Sequence, residues 1–262
     1  MSDVEIYTVT YDFNRWRYTS ADENVYVEPV TFRAVPITRS NIELSTDETG
    51  ASFTVSFPLD AEFLELFRVS PPSGLVTLLC EKFDVESGQT VEIVFKGRIV
   101  NVTWQEDHAE VTCESSSQAI RRMGLRRHYQ YGCPHMLFGG ECRVDREQFV
   151  TVGNATNLTN IGFDLLEAAG KDDGYYAGGY VEYMHSELQT TERIAVAESE
   201  GASGRITLFS FPIGLVAGAE VRLYAGCDRT LQTCAGKFNN AENYGGMPFI
   251  PTKDPFGGDP LY

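Results

Sequence analysis

The sequence predicts a mainly β chain with a minor helical share, and three features predict it. Apolar and polar residues alternate at period two in several segments, such as Ser52-Phe53-Thr54-Val55-Ser56-Phe57. Other short runs are rich in the β-branched and aromatic residues that suit a pleated, half-buried surface. Turns bearing glycine or asparagine separate most of the runs in the second half. From this order we expect a β-domain over residues 1–115, a β-rich cysteine-bearing domain over 116–236 and an extended arm over 237–262.

The first strand is expected over residues 4–11, Val-Glu-Ile-Tyr-Thr-Val-Thr-Tyr. Arg15-Trp16-Arg17-Tyr18-Thr19 alternates basic with aromatic residues. That pattern suits either nucleic-acid stacking or a half-buried strand with a polar outer face, and the acidity of the chain favours the strand. Asn41–Ser45 and Ser52–Phe57 alternate at period two, and Pro58 ends the second. Asp60 is placed to cap a short helix through Leu66, with Phe63, Leu64 and Phe67 on one face. After the break at Pro71-Pro72-Ser73-Gly74, strands are expected near 75–83, 91–103 and 108–114. Cys80 and Cys113 fall singly within these strands and read as buried, inert thiols, with a mutual disulfide as the alternative.

A serine in Ser115-Ser116-Ser117 can cap a helix running to about residue 129. That helix would carry Arg121, Arg122, Arg126 and Arg127, read as a solvated face that pairs with carboxylates. Further strands are expected at Phe163–Leu166, Tyr180–His185, Glu192–Ala197, Arg205–Leu208 and Glu220–Tyr224. The stretch from Lys237 is rich in Gly, Pro and Asn and has little periodicity, hence the expected arm.

Composition narrows the function. At 262 residues with 42% hydrophobic content, the chain can bury one large core or two moderate ones. The net charge of −16 argues against binding a phosphate backbone as the main task. The start, Met1-Ser2-Asp3-Val4-Glu5, carries no basic or apolar leader pattern, and no apolar run reaches membrane-spanning length. Synthesis and folding in a cytoplasm are therefore expected, where thiols stay reduced.

Four of the six cysteines come in two wide pairs, Cys133 with Cys142 and Cys227 with Cys234. Soft thiolates at turn-rich positions suit a metal or an iron–sulfur cluster. The pairs are wider than zinc knuckles, and the tight ferredoxin run is absent. Spacing leaves cluster and zinc both open. Disulfides are disfavoured by the compartment. Gly139, Gly140 and Gly226 allow close backbone approach, with amides available to sulfur.

A resemblance decides between them. Tyr131-Gly132-Cys133, Cys142-Arg143-Val144-Asp145, Gly226-Cys227-Asp228, Thr233-Cys234, Lys237-Phe238-Asn239-Asn240 and the close Asn243–Pro251 resemble the tail-tip family of phage lambda minor tail protein L. They are similar also to the baseplate hub proteins of long-tailed phages and gene transfer agents. The match runs from about 129 to 254, and the N-terminal part is similar only in pattern. The resemblance implies an N-terminal phage-hub β-domain followed by a β-rich iron–sulfur domain. It implies a [4Fe–4S] cluster on Cys133, Cys142, Cys227 and Cys234, with no role for Cys80 or Cys113. It further implies a homotrimer at the virion's tail tip or baseplate, assembled in the host cytoplasm. Its neighbours would be the distal tail protein and the central fibre or tail-tip protein, with the tape-measure protein a further candidate partner. Neither a specific nucleic-acid sequence nor a membrane span is implied.

No enzyme is expected. His108, His128, His135 and His185 form no metal-binding spacing, and no nucleophile elbow, His-Glu-x-x-His or phosphate loop occurs. A Cys133–His135 nucleophile pair competes with ligation by the same cysteine, which is the better use of it. The alternatives to a structural hub are a cytoplasmic redox or cluster carrier and, more weakly, a cell-wall hydrolase at a tail tip.

Overall fold

Alternation in the sequence becomes alternation in burial. Along the strand His108–Ser115, Ala109, Val111 and Cys113 are buried and their neighbours are partly exposed. The structure, a computed structural model, describes residues 3–41, 52–69, 71–116 and 128–250. The chain forms two units, Met1–Met123 and Gly124–Tyr262. The helix expected from Ser115–Ser117 to 129, most of the Asn41–Ser45 strand, and residues 251–262 of the expected arm lie outside the described residues.

The first unit contains β1 (Asp3–Tyr11), β2 (Asn14–Thr19), β3 (Val25–Val27), β4 (Val30–Ala34), β5 (Thr38–Arg39), β6 (Ser52–Pro58), β7 (Val76–Asp84), β8 (Gln89–Trp104) and β9 (His108–Ser115). They form one sheet in the order β3-β4-β2-β1-β7-β8-β9-β6-β5. Its pairings are antiparallel except that of β2 with β4. The core is aromatic. Phe57 meets Tyr7, Tyr18 and Phe63 edge-on, with ring centroids 5.0–6.0 Å apart. Each such contact adds roughly 0.5–1.5 kcal/mol to area burial. Cys80 and Cys113 sit in this core, fully buried and free.

The expected helix after Pro58 is a 3-10 segment, Glu62–Phe67, with no side-chain cap. Asp60 does not cap it, because its carboxylate pairs with Arg33 at 3.3 Å. Phe63 and Leu64 are still buried.

The second unit contains β10 (Val150–Asn154), β11 (Thr156–Thr159), β12 (Gly162–Asp164), β13 (Tyr180–Met184), β14 (Thr191–Glu200), β15 (Arg205–Leu208) and β16 (Glu220–Tyr224). This antiparallel sheet runs β10-β16-β13-β14-β15-β12-β11. Phe163, Leu165, Tyr176, Val181, Val196, Ile206, Val221 and Leu223 form its core. A single short α-helix, α1 (Leu231–Gly236), follows β16 among the described residues.

Lys237–Ile250, expected to begin an extended arm, instead packs into this unit. Phe238 is buried against Cys142, Val144 and Ala225. The Tyr244 hydroxyl donates to the Tyr131 carbonyl at 2.8 Å, and the Met247 amide donates to the Gln130 carbonyl at 2.9 Å. Tertiary partners more than a hundred residues away hold this stretch, and local periodicity carries no sign of them.

Candidate cofactor site

Two loops and one helical turn bring the paired cysteines together. The first loop leaves the backbone near Gln130 and is tied to the second at once, since the Cys133 amide donates to the Arg229 carbonyl at 2.9 Å. A turn closes it, with the Gly139 amide on Met136 O at 3.0 Å and the Arg143 amide on Gly139 O at 2.8 Å. Phe138 and Arg143 adopt positive φ in this turn, 62° and 60°. Asp145 then accepts from the Glu147 amide at 3.1 Å and starts the 3-10 segment that leads to β10.

The second segment leaves β16 through Ala225 and Gly226, both buried. Glycine is required at 226, because a Cβ there would lie 1.8 Å from the Ala177 carbonyl oxygen. Cys227 follows. Asp228 then organises the start of α1 by accepting from the Thr230 amide and hydroxyl, both at 2.9 Å, and from the Thr233 hydroxyl at 2.8 Å. Thr230 caps the helix by accepting from the Thr233 amide at 3.2 Å, and this turn presents Cys234. Burial pushes the Asp228 carboxyl up, but its bonds to Thr230 and Thr233 more than offset this and hold it below the ordinary value.

All four cysteines line one cavity of about 420 Å³. Cys133, Cys142 and Cys234 are 7–9% exposed, and Cys227 is half-buried. The wall also carries Leu137, Phe138, Val144 and Phe238, which are apolar, and the cations Arg146, Arg193 and Arg229. Three sulfurs face N–H groups. The Gly245 amide donates to Cys133 Sγ at 3.4 Å, the Arg229 amide to Cys227 Sγ at 3.3 Å, and Asn240 Nδ2 to Cys142 Sγ at 3.8 Å. Donors of this kind stabilise sulfur as a thiolate ligand. The Cys234 thiol donates to the Asn240 carbonyl at 3.2 Å.

The electrostatics report the same convergence. Burial, together with the nearby Cys133, Cys227 and Cys142, pushes the Cys234 thiol up to about 11. Burial raises Cys227 as well, with further contributions from Asp228, Cys133 and Cys142. Burial and neighbouring thiols thus oppose ionisation of Cys227 and Cys234, and a cationic centre in the cavity would reverse that.

Beneath the site, Lys237 Nζ donates to the Gly226 carbonyl at 2.8 Å and to the Tyr175 carbonyl, and it lies 3.9 Å from the Tyr175 ring centroid. Glu182, buried behind the wall, accepts from Arg193 Nε at 2.7 Å and from the Tyr224 hydroxyl at 3.0 Å. Asn240, Gly245 and Lys237 belong to the stretch expected as an arm, so sequence reasoning missed them as parts of the site. The Lys237–Asn240 motif, quoted beside the cysteines, was the available signal.

The four histidines are scattered, and of them His135 lines the cavity. His135 is buried at the cavity wall, with Nδ1 3.1 Å from the Asn243 carbonyl oxygen and Nε2 3.7 Å from Glu141. His185 accepts the Glu187 and Leu188 amides, His108 pairs with Asp107, and His128 is exposed. Among the described residues, no group of three or more His, Cys, Asp or Glu is arranged to hold a metal ion as it stands.

Two sheet-built units, the second of them all-antiparallel with a cavity lined by four cysteines, define a mainly β class of protein. The model of the family "Baseplate hub protein, N-terminal attachment domain" matches residues 6–145, more than half of the chain, and the chain belongs to this phage baseplate hub family. As such it is a component of the virion baseplate. A second family model, "Phage conserved hypothetical protein BR0599", matches residues 174–254. A chain of the solved "Virion of native gene transfer agent (GTA) particle" is similar over 100% of this chain and 92% of its own, at 18% identity and a TM-score of 0.79. That likeness shows a shared fold. No curated protein matches the chain. No helix among the described residues is long and apolar enough to cross a membrane.

Proposed function

We propose that this chain is a structural hub protein whose second unit is locked by a [4Fe–4S] cluster on Cys133, Cys142, Cys227 and Cys234. The observation that carries the reading is that all four thiols line one cavity of about 420 Å³. When bound, the cluster would supply a cross-link between two segments distant in sequence. Closing a long loop in this way turns binding energy into folding energy. The chain's own residues prepare the site: Gly245, Arg229 and Asn240 direct N–H groups at sulfur, and Thr230 and Asp228 fix the turn bearing Cys234. Deep burial of three of the four cysteines supports a structural role over a soluble redox or cluster carrier, which needs an accessible edge.

Within the baseplate, we assign the chain to a homotrimer that joins the distal tail to the central fibre. This rests on the family and on the resemblance of the cysteine motifs. The reading is tested by purifying the chain anaerobically and assaying iron, acid-labile sulfide and zinc. About four irons and four sulfides per chain are expected for a cluster of this type. Stoichiometric zinc without sulfide would overturn the reading.

A further inference from the structure

The geometry points to a second recognition surface, on the first unit: a hydroxyl-floored, cation-framed face of the sheet that takes an acidic segment of a partner protein. The strand register builds it. Arg17 on β2 lies opposite Thr8 on β1, Thr8 opposite Leu79 on β7, and Leu79 opposite Lys96 on β8. Two residues along, the row is Arg15, Thr10, Thr77 and Arg98. Each row crosses four strands and ends in a cation on both sides. With strands about 4.8 Å apart and a rise of about 3.3 Å per residue, the four cations frame a rectangle of roughly 14 by 7 Å. These residues line a depression of about 610 Å³, and no described carboxylate lines it.

The pairing of charges sets this face apart. Residues 1–123 carry 10 Lys and Arg against 20 Asp and Glu, so a cation there is surrounded by available partners. Arg33, Arg39, Arg68 and Lys82, which lie elsewhere on the unit, each make an ion pair. On this face Arg98 pairs with Glu114 at 2.7 Å, while Arg15, Arg17 and Lys96 have no ion pair among the described residues. In an acidic unit, three cations on one face without an ion pair among the described residues present a localised positive site.

Its dimensions choose the occupant. An extended peptide places alternate side chains about 7 Å apart, the spacing of the two cation rows. Carboxylates at those positions would meet charge-assisted donors at the edges and the Thr8, Thr10 and Thr77 hydroxyls on the floor. A nucleic acid would run past the frame and across a unit with twice as many acids as bases. The alternation Arg15-Trp16-Arg17-Tyr18 offers no stacking platform either. Tyr18 is buried in the core, on the opposite face of the strand from the arginines.

The test uses the full chain and a short fluorescein-labelled peptide of alternating Glu and Thr, followed by fluorescence anisotropy at low and physiological salt. A labelled oligothymidylate of matched charge is titrated in parallel. The R15Q/R17Q/K96Q variant, the single Lys96→Gln variant and a control, Arg33→Gln, are compared at equal melting temperature. The wild type and Arg33→Gln are expected to bind the peptide alike. The triple variant should bind roughly tenfold more weakly or worse and Lys96→Gln by a smaller factor, with oligothymidylate bound less tightly than peptide. Absence of peptide binding, equal binding by the triple variant, or a preference for oligothymidylate would overturn the inference.

Discussion

The two units handle the same side chain in opposite ways. Cys80 and Cys113 are 0% exposed, each on its own strand of the first sheet. Cys80 lies opposite Tyr7 and Phe95, and Cys113 opposite Phe53 and Ile99. Burial pushes both thiols up to about 12, so each behaves as a small apolar filler. In the second unit, Cys133, Cys142, Cys227 and Cys234 stand on loops and one helical turn, beside each other, beside N–H donors and beside a cavity. Burial is comparable for most of the six. The setting differs, with regular strands holding lone thiols and irregular backbone gathering four. Depth alone therefore does not separate the two sets of cysteines; convergence and N–H donors do.

Removing ligands should break the comparison most strongly. The double change C142S/C227S is expected to abolish iron and sulfide retention and the cooperative melting of the second unit. Structural zinc in zinc-finger peptides contributes about 10–16 kcal/mol to folding, and a cluster cross-link is expected to act in the same direction. C80A/C113A should keep full iron content, as read by metal analysis beside calorimetry.

Alkaline titration sharpens the contrast within the first unit. Its two thiols ionise near 12 when folded, against about 8.5 in an unfolded chain. Their contribution is complete below the unfolded value and is lost as pH rises towards the folded one, because only the unfolded state releases protons in that window. Stability should fall by about 1.4 kcal/mol per pH unit per thiol above roughly pH 9. Denaturant melts of C80A/C113A should lack this slope. An identical slope in that variant would refute the assignment.

Lys237→Met tests the support beneath the site. It leaves the Gly226 carbonyl without its lysine donor and should cost about 1–3 kcal/mol in the second unit, measured by urea unfolding. The smallest effect is expected from Cys80→Ala alone. It removes one buried sulfur and should cost about 1 kcal/mol, with no change in iron content.

The sequence showed much of this organisation, unevenly. Strands with clean alternation, such as Ser52–Pro58 and His108–Ser115, could be read because each has one buried face. Length did not decide legibility: β15 and β16 were read at four and five residues, whereas β3, β4, β10 and β11 were not, and of these Thr156–Thr159 offers a single apolar residue. The cysteine pairs stood out by residue type. Their supports did not: Asn240 and Gly245 act on sulfurs about a hundred residues away, and only the fold creates that adjacency. The basic–aromatic alternation at Arg15–Tyr18 was legible as a strand, but the partner rows on β7 and β8 that give its arginines a role come from register.

Four cysteines of the second unit, and neither of the first, are expected to hold a multi-iron centre. X-ray absorption at the iron and zinc edges tests it most directly on anaerobically purified wild type, C80A/C113A and C142S/C227S. Iron with a sulfur shell and an iron–iron scattering path is expected in the first two proteins, and loss of both in the third. A zinc edge with a single sulfur shell, or an iron signal that survives C142S/C227S, would contradict it.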